Sequence, residues 1–250
     1  VPKIAVFDSG LGSLSVIKSL QKMLNSEVIY FADQANYPYG TKNIHQLNKI
    51  IKSTISKLQI KFDPDLIVVG SNTPSLLLDI EKKNKIIGIF PPLKEAVLKT
   101  RTAHIGILAT RSVIKSKALD NYIKKNVSTK IRVTRIDATI LVDLVESGKF
   151  LSQKQISKNI IRNIIGSRLE KIDVVTLSST HLPFLVTILK ELFPNVLFLN
   201  PSDSVASHIS KILKHKKSEK NKLKIFTSGN VKTFQNHLLK IGIKNKVHPL

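Results

Sequence analysis

The sequence predicts an α/β protein made of two pseudo-symmetric parallel-sheet α/β domains, with an active site in the cleft between them. Three observations carry this expectation. Short apolar β-rich runs alternate with stretches of helical period, as parallel sheets covered by helices require. Two pairs of segments match one another: DLIVVGSNTP (65–74) over DVVTLSSTHLP (173–183), and KIAVFDSG (3–10) over HIGILATR (104–111). The length of 250 residues exceeds a single domain of about 150. Two related halves bring the ends of their strands to one cleft, where ligand sites commonly lie.

The elements follow in order. KIAVFD is a strand at 3–8 that runs into a glycine turn, and LSVIKSLQKML is a helix with apolar Leu14, Val16, Ile17, Leu20 and Leu24 on one side. A strand at 27–33, a helix near 43–59, a strand at 65–70, a helix at 74–82, a strand at 85–90 and a helix at 93–99 continue the alternation. The second set has strands at 104–110, 131–136, 173–178 and 196–200, with helices at 112–125, 137–147, 152–168 and 183–191. A helix at 202–213, a strand at 224–228 and a helix at 230–240 finish the chain. Pro91-Pro92 and Asn200-Pro201 are stiff and non-helical, and read as the crossings between domains. The expected division is 1–91 plus 205–250 for the first domain and 92–204 for the second.

Composition narrows the chemistry. With 42% hydrophobic residues the chain can bury a core, which excludes a disordered polypeptide. The absence of cysteine excludes disulfides, cysteine-ligated zinc or iron–sulfur clusters, and any thiol nucleophile. No apolar run nears about 18 residues, so no membrane span is expected. The first residues enter a strand without a basic and apolar leader, so no secretory signal is expected and the protein is placed in the cytoplasm. A net charge of +23 points to an anionic partner. The lysines are scattered between apolar residues, however, and their densest cluster, KHKKSEKNKLK at 214–224, has the pattern of a solvated loop. Aromatics are not interleaved with the basic residues as a stacking platform for nucleic acid requires, so nucleic acid is not the expected partner.

Four loops can carry chemistry. Asp8-Ser9-Gly10-Leu11-Gly12 ends a buried strand in an acid and a tight turn that leads to a helix. Gly10 and Gly12, with Asp33 ending the next strand, also fit part of a dinucleotide fingerprint, but Ser15 stands at the third glycine position, so no nicotinamide cofactor is expected. The second loop, Asn36-Tyr37-Pro38-Tyr39-Gly40-Thr41-Lys42, is a turn that could present a phenol and a backbone N–H. The third and fourth, Ser71-Asn72-Thr73 and Ser179-Thr180-His181, each place a hydroxyl at the end of an apolar strand. Those hydroxyls could simply cap helices. A Ser-His-Asp triad from Ser179, His181 and an aspartate is conceivable, but a spacing of two residues does not ensure its geometry. The histidines have no close metal-ligand spacing near these loops, so no metal is expected.

The segments FDSGLGSLSV, YFADQANYPYGTKN, VVGSNTPS, IGILATRSVIKS, LVESG and LSSTHLP resemble, in order and spacing, the glutamate racemase family within the aspartate/glutamate racemase superfamily. The resemblance runs from Ile4 to about Gly229. It implies two α/β domains, a homodimer, and interconversion of L- and D-glutamate without cofactor or metal, the D-glutamate feeding peptidoglycan synthesis. The expected partner is therefore a small amino-acid or dicarboxylate substrate. In the family two cysteines flank the substrate Cα, one removing the α-proton and the other returning one, within the loops A-C-N-T and G-C-T-H. This chain has Gly70-Ser71-Asn72-Thr73 and Ser178-Ser179-Thr180-His181: both cysteines are serine. By position, the resemblance makes Ser71 and Ser179 the catalytic pair, with Asp8 beside the first and His181 beside the second. It gives Asp33 and Glu146 supporting places, and Ser9, Tyr39, Gly40, Asn72, Thr73, Thr110 and Thr180 contacts to the substrate.

Other positions depart from the family: Ser13 stands for a glycine, Pro74 for an alanine, Phe90 for a common glutamate, Val113 for a threonine, Ser178 for a glycine and Leu182 for an aromatic. Changes spread through the motifs fit a natural variant better than an engineered cysteine-to-serine pair. Val113, Phe90 and Leu182 are expected to alter the substrate pocket. A serine hydroxyl is a far weaker acid than a thiol of pKa about 8.5, and needs a neighbouring base to act. Racemisation is therefore expected to be weak or absent, and the alternative reading is a non-catalytic amino-acid or dicarboxylate-binding or regulatory protein that uses the same cleft. A third reading is another cofactor-free reaction on a carboxylate, with Ser179 and His181 as the acid–base pair.

Overall fold

Every residue of β1 (Lys3–Asp8) after the first is buried, because the strand lies at the centre of a parallel sheet covered on both faces. The protein is described by a computed structural model over residues 1–80, 85–214 and 218–250. β2 (Glu27–Ala32) and β3 (Leu66–Val69) pair with β1 in parallel, Ile4 lying opposite Val28 on one side and Leu66 on the other. With β4 (Ile86–Gly88), β9 (Lys222–Thr227) and β10 (Val247–Pro249) they form a six-stranded sheet in the order β10-β9-β2-β1-β3-β4. A second parallel sheet holds β5 (His104–Ala109), β6 (Arg132–Asp137), β7 (Val174–Leu177) and β8 (Leu197–Leu199) in the order β6-β5-β7-β8. The order β2-β1-β3-β4 thus recurs as β6-β5-β7-β8. The matched sequence segments occupy equivalent strands, β1 with β5 and β3 with β7.

Strand alternation sets the layers. Ile4 and Val6 face a core shared with α1 (Leu14–Met23), α11 (Pro201–Ile212) and α12 (Val231–Lys240), whereas Ala5 and Phe7 face α2 (Ile44–Phe62). In the second sheet Ile105 and Ile107 pack on α4 (Leu93–Lys99) and α6 (Lys117–Asn126). Leu108, Val175 and Leu177 pack on α7 (Thr139–Glu146), α9 (Lys154–Ile165) and α10 (Val186–Leu192). The chain passes from β4 through Pro91-Pro92 into α4 against the second sheet. It returns from β8 through Asn200-Pro201 into α11 against the first. Asn200 caps α11 by accepting from the Ser202 N–H at 3.0 Å. Among the described residues no helix is long and apolar enough to cross a membrane.

Some elements differ from the sequence expectation. The helix expected at 74–82 is α3 (Asn72–Leu77), which starts directly behind Ser71; residues 81–82 of that expectation lie outside the described residues. The helix expected at 112–125 is two, α5 (Arg111–Ile114) and α6. Ser116 breaks the run by accepting from the Leu119 N–H, a cap inside an otherwise helical pattern. The helix expected at 152–168 is likewise divided, into α8 (Lys149–Ser152), α9 and a 3₁₀ turn. β9 begins at Lys222, so the end of the basic cluster is strand and not loop, and residues 215–217 of that cluster lie outside the described residues. β10 was not expected: Val-His-Pro at a sheet edge carries no alternation to read.

Candidate active site

The loops singled out in the sequence leave the carboxyl ends of β1, β2, β3 and β7, and Thr110 leaves that of β5. They meet around a cavity of about 400 Å³. Asp8, Ser9, Tyr39, Gly40, Ser71, Asn72 and Thr73 line it from the first sheet, and Thr110, Ser179, Thr180 and His181 from the second. A larger cavity of about 550 Å³ lies by the crossing prolines Pro91, Pro92 and Pro201, away from both serines.

Asp33 and Glu146 stand behind this wall. Asp33 is buried and accepts from Tyr39 OH at 3.0 Å, from Asn36 Nδ2 at 2.9 Å and from Ser228 Oγ at 3.0 Å, which holds the second loop in place. Glu146 Oε1 accepts from His181 Nε2 at 2.5 Å and from the Leu11 N–H at 2.6 Å. It ties the first loop to the fourth.

The two serines are not equivalent. Ser71 has an extended backbone at the start of α3, and its hydroxyl does not cap that helix or reach another partner among the described residues. Ser179 Oγ lies 3.5 Å from His181 Nδ1, so the short spacing does deliver a contact. Asp8 accepts from the Ser9 N–H at 2.7 Å and, across the cleft, from Thr180 Oγ1 at 3.1 Å.

Gly10 and Gly12 exist for close approach between the two halves. A Cβ on Gly10 would fall 2.0 Å from Glu146 Oε1, and one on Gly12 would fall 2.4 Å from Thr180 Oγ1 and 2.6 Å from His181 Nδ1. The room beside these glycines is filled by the protein's own second half, which accounts for the partial dinucleotide pattern without a nucleotide.

Burial sets the electrostatics. It pushes the Asp8 carboxyl up to about 6, against the charge of His181 and the hydrogen bonds of Ser9 and Thr180. Burial is the largest influence on both members of the second pair and opposes their charge, but the mutual hydrogen bond and the surrounding charges, with the Leu11 N–H for Glu146 and Asp8 for His181, together outweigh it. Glu146 is held below its ordinary value and His181 above its own. The Asp8 shift has a stability consequence. A carboxyl whose pKa is higher folded than unfolded, about 6 against 3.8, stabilises the fold fully below pH 4, and that contribution is lost as pH rises through 6. The Asp8→Asn variant removes this dependence. It should be more stable than the parent by about 3 kcal/mol at pH 8, with the difference shrinking towards zero near pH 4. Urea melts at the two pH values read it; a gain that does not depend on pH would show that Asp8 is charged throughout.

No protein-family model matches the chain. The glutamate racemase of Bartonella quintana is 30% identical over 253 residues, covering 95% of this chain and 93% of that protein. The chain belongs to the glutamate racemase family. The glutamate racemase of Chlorobaculum tepidum is 32% identical over 221 residues, or 84% of this chain and 79% of that protein. Among solved structures, a glutamate racemase isoform from Bacillus anthracis superposes with a TM-score of 0.85 at 23% identity, covering 100% of this chain and 97% of that one. The glutamate racemase from Aquifex pyrophilus gives 0.75 at 25% identity over 99% and 98%. The two-sheet fold is that of these racemases along its whole length.

Against the racemase pattern, three departures do not touch the cavity. Val113 is fully buried in the second-sheet core, Leu182 is fully buried among α7, α9 and α10, and Phe90 stacks on Tyr122 at 5.5 Å. The expectation that they alter the pocket wall is corrected: none of the three is among the residues that line the cavity. Ser178 does line the cavity, and its hydroxyl pairs with Thr176 Oγ1 at 2.9 Å. Ser13 and Gly70 form a reciprocal exchange, because the racemase pattern has glycine at the first and alanine at the second. A Cβ on Gly70 would fall 2.4 Å from Ser13 Cβ, so only one of the two positions has room for a side chain. Gly70→Ala should cost about 1–3 kcal/mol by overpacking. Adding Ser13→Gly should recover most of that loss, which a double-mutant cycle on thermal melts measures. Additive losses would mean that the two sites do not share this space.

The cavity also has residues that the sequence reading missed. Arg111, Ser112 and Lys115 line it, and the expected long helix 112–125 had hidden their turn. Thr139 and Asp143 line it too. With Glu146 they recur at i, i+4 and i+7 on one face of α7, a polar stripe that was legible in the sequence.

Proposed function

We propose that this cleft binds a small amino acid with a second carboxylate, glutamate foremost, and that Ser71 and Ser179 address its α-carbon from the two sides. The observation that carries the reading is the single cavity to which both serines contribute from equivalent strands of the two sheets. The site has matching chemistry. Asn72 Nδ2 donates to Ile89 O at 3.1 Å, which leaves Asn72 Oδ1 buried and without a partner among the described residues, an acceptor that suits an ammonium group. Hydroxyls of Ser9, Thr73, Thr110 and Thr180, with the cations Arg111 and Lys115, offer donors for carboxylates. The relatives add support: the racemase from Escherichia coli was solved with L-glutamate and that from Francisella tularensis with D-glutamate.

With serines at both positions, proton transfer is slow. Ser179 has His181 at 3.5 Å and Ser71 Oγ has no hydrogen-bond partner among the described residues, so one face of the substrate is served better than the other. Incubation of each glutamate enantiomer in deuterated water, followed by proton NMR and chiral chromatography, tests this. The expected result is slow loss of the α-proton from one enantiomer, with inversion slower still. Thermal stabilisation by glutamate without any exchange would instead favour the binding-protein reading. Neither stabilisation nor exchange would remove glutamate as the ligand.

A further inference from the structure

Ser179, His181 and Glu146 form a chain of three groups whose order has its own chemical meaning. His181 Nε2 lies 2.5 Å from Glu146 Oε1, and Glu146 is anchored by the Leu11 N–H at 2.6 Å. The carboxylate keeps the proton on Nε2, so the lone pair of neutral His181 is on Nδ1, the atom 3.5 Å from Ser179 Oγ. An acid that orients an imidazole, which in turn faces a serine hydroxyl, is the arrangement that makes serine a nucleophile. A contact of this length is of the kind that tightens when a ligand fills the site. All three side chains are shielded from bulk water, Ser179 and His181 being buried and Glu146 only slightly exposed.

We propose that Ser179 is a covalent nucleophile towards short carboxylic esters, with His181 as its base and Glu146 as the group that positions His181. Ser179 Oγ bonds to the ester carbonyl carbon while its proton passes to His181 Nδ1. The bond to the alkoxy oxygen breaks, and the departing alcohol takes the proton from His181. Water then attacks the acyl carbon, gives a proton to His181, and the acyl–Oγ bond breaks. Ser179 recovers its proton, and the free acid leaves. Arg111 and Lys115 line the same cavity, so the preferred ester is one that keeps a free carboxylate, a half-ester of a short dicarboxylic acid. The inference is independent of the amino-acid reading: the chain could acylate Ser179 whether or not it exchanges an α-proton.

Ser71 is the internal comparison. It lines the same cavity and is more exposed than Ser179, but lacks the imidazole. A difference in reactivity between the two therefore reports the relay and not access. An alkyl fluorophosphonate is the probe: Oγ bonds to phosphorus, fluoride leaves, and the proton goes to His181. Intact mass and peptide mapping should find one adduct, on Ser179, with Ser71 unmodified. Ser179→Ala should abolish it, and His181→Asn should slow it by on the order of 100-fold. The labelling rate should rise with pH as His181 loses its proton, with a midpoint above the ordinary imidazole value, because burial, which lowers it, is outweighed by Glu146 together with the charges of Asp8 and Asp143. Glu146→Gln should move that midpoint down, a shift that simple loss of packing would not produce. The same enzyme should cleave a nitrophenyl half-ester with the same pH profile and the same dependence on Ser179. No adduct on the folded parent, equal labelling of Ser71, or a Glu146→Gln profile that does not move would each overturn the proposal.

Discussion

The double variant Ser71→Cys plus Ser179→Cys should interconvert D- and L-glutamate at least about 100-fold faster than the parent chain, since each positioned acid–base group is worth roughly 10²–10⁴-fold. The reason is acidity at the two reacting atoms. A thiol of pKa about 8.5 holds a usable fraction of thiolate near neutral pH, and site charges raise it further, whereas a serine hydroxyl holds almost none. The surroundings are already in place: the cavity, Asn72 with its oxygen unpartnered among the described residues, and the hydroxyl-bearing loops. The single variants should differ. Ser71→Cys puts a thiol on the face without the imidazole and leaves the His181-assisted serine opposite. It should gain more than Ser179→Cys, which improves the better-served face and leaves the bare hydroxyl as the limiting step. Circular dichroism of glutamate solutions, run from each enantiomer, measures all four proteins. If the double variant folds and binds glutamate but inverts neither enantiomer, the serines are not what limits the reaction. If it does not bind glutamate, the substrate is wrong.

The sequence made the architecture legible because each strand buried on both faces is a short, nearly continuous apolar run, as in LIVV and VVTL, and each such run ends in a polar turn. The internal match between β1 and β5 and between β3 and β7 gave the pairing of halves, since equivalent strands in equivalent sheets keep the same end residues. What it could not show was which residues stand behind others. Nothing in the local pattern around His181 says that Glu146, on a helix 35 residues earlier, supplies its partner. That link came only from resemblance, and its geometry only from the fold. Nor could the sequence tell that Val113 and Leu182 are buried in cores and that Phe90 lies against Tyr122, because an apolar side chain beside a site motif reads the same whether or not it faces the cavity. The turn at Lys115-Ser116 was missed because helical period continues across it, and the Ser116 cap is visible only as one serine among many.

Gly12→Ala should remove the site while leaving both sheets intact. The added Cβ would lie 2.4 Å from Thr180 Oγ1, 2.6 Å from His181 Nδ1 and 2.7 Å from His181 Cε1. None of these atoms is the free end of a flexible chain. Thr180 is fixed by its bond to Asp8, and the His181 ring is fixed by Glu146. Relief therefore takes one of two routes. The ring swings away, which separates Nδ1 from Ser179 and leaves the Glu146 carboxylate buried without its partner. Otherwise the first loop retreats from the fourth and the cleft opens. Either route costs about 1–3 kcal/mol by overpacking alone. The first route disconnects Ser179 from its base; the second takes the Leu11 N–H from Glu146 and Asp8 from Thr180, the contacts that hold the relay from the other half. The expected results are a lower melting temperature, loss of fluorophosphonate labelling at Ser179, and loss of any stabilisation by glutamate. Gly166→Ala is the control. That glycine ends α9 in helical backbone, and a Cβ there would meet only Arg162 Cγ at 3.6 Å, so stability and labelling should stay at or slightly above the parent level. A Gly12→Ala protein that melts and labels like the parent would mean that the two halves do not need this contact to hold His181 against Ser179.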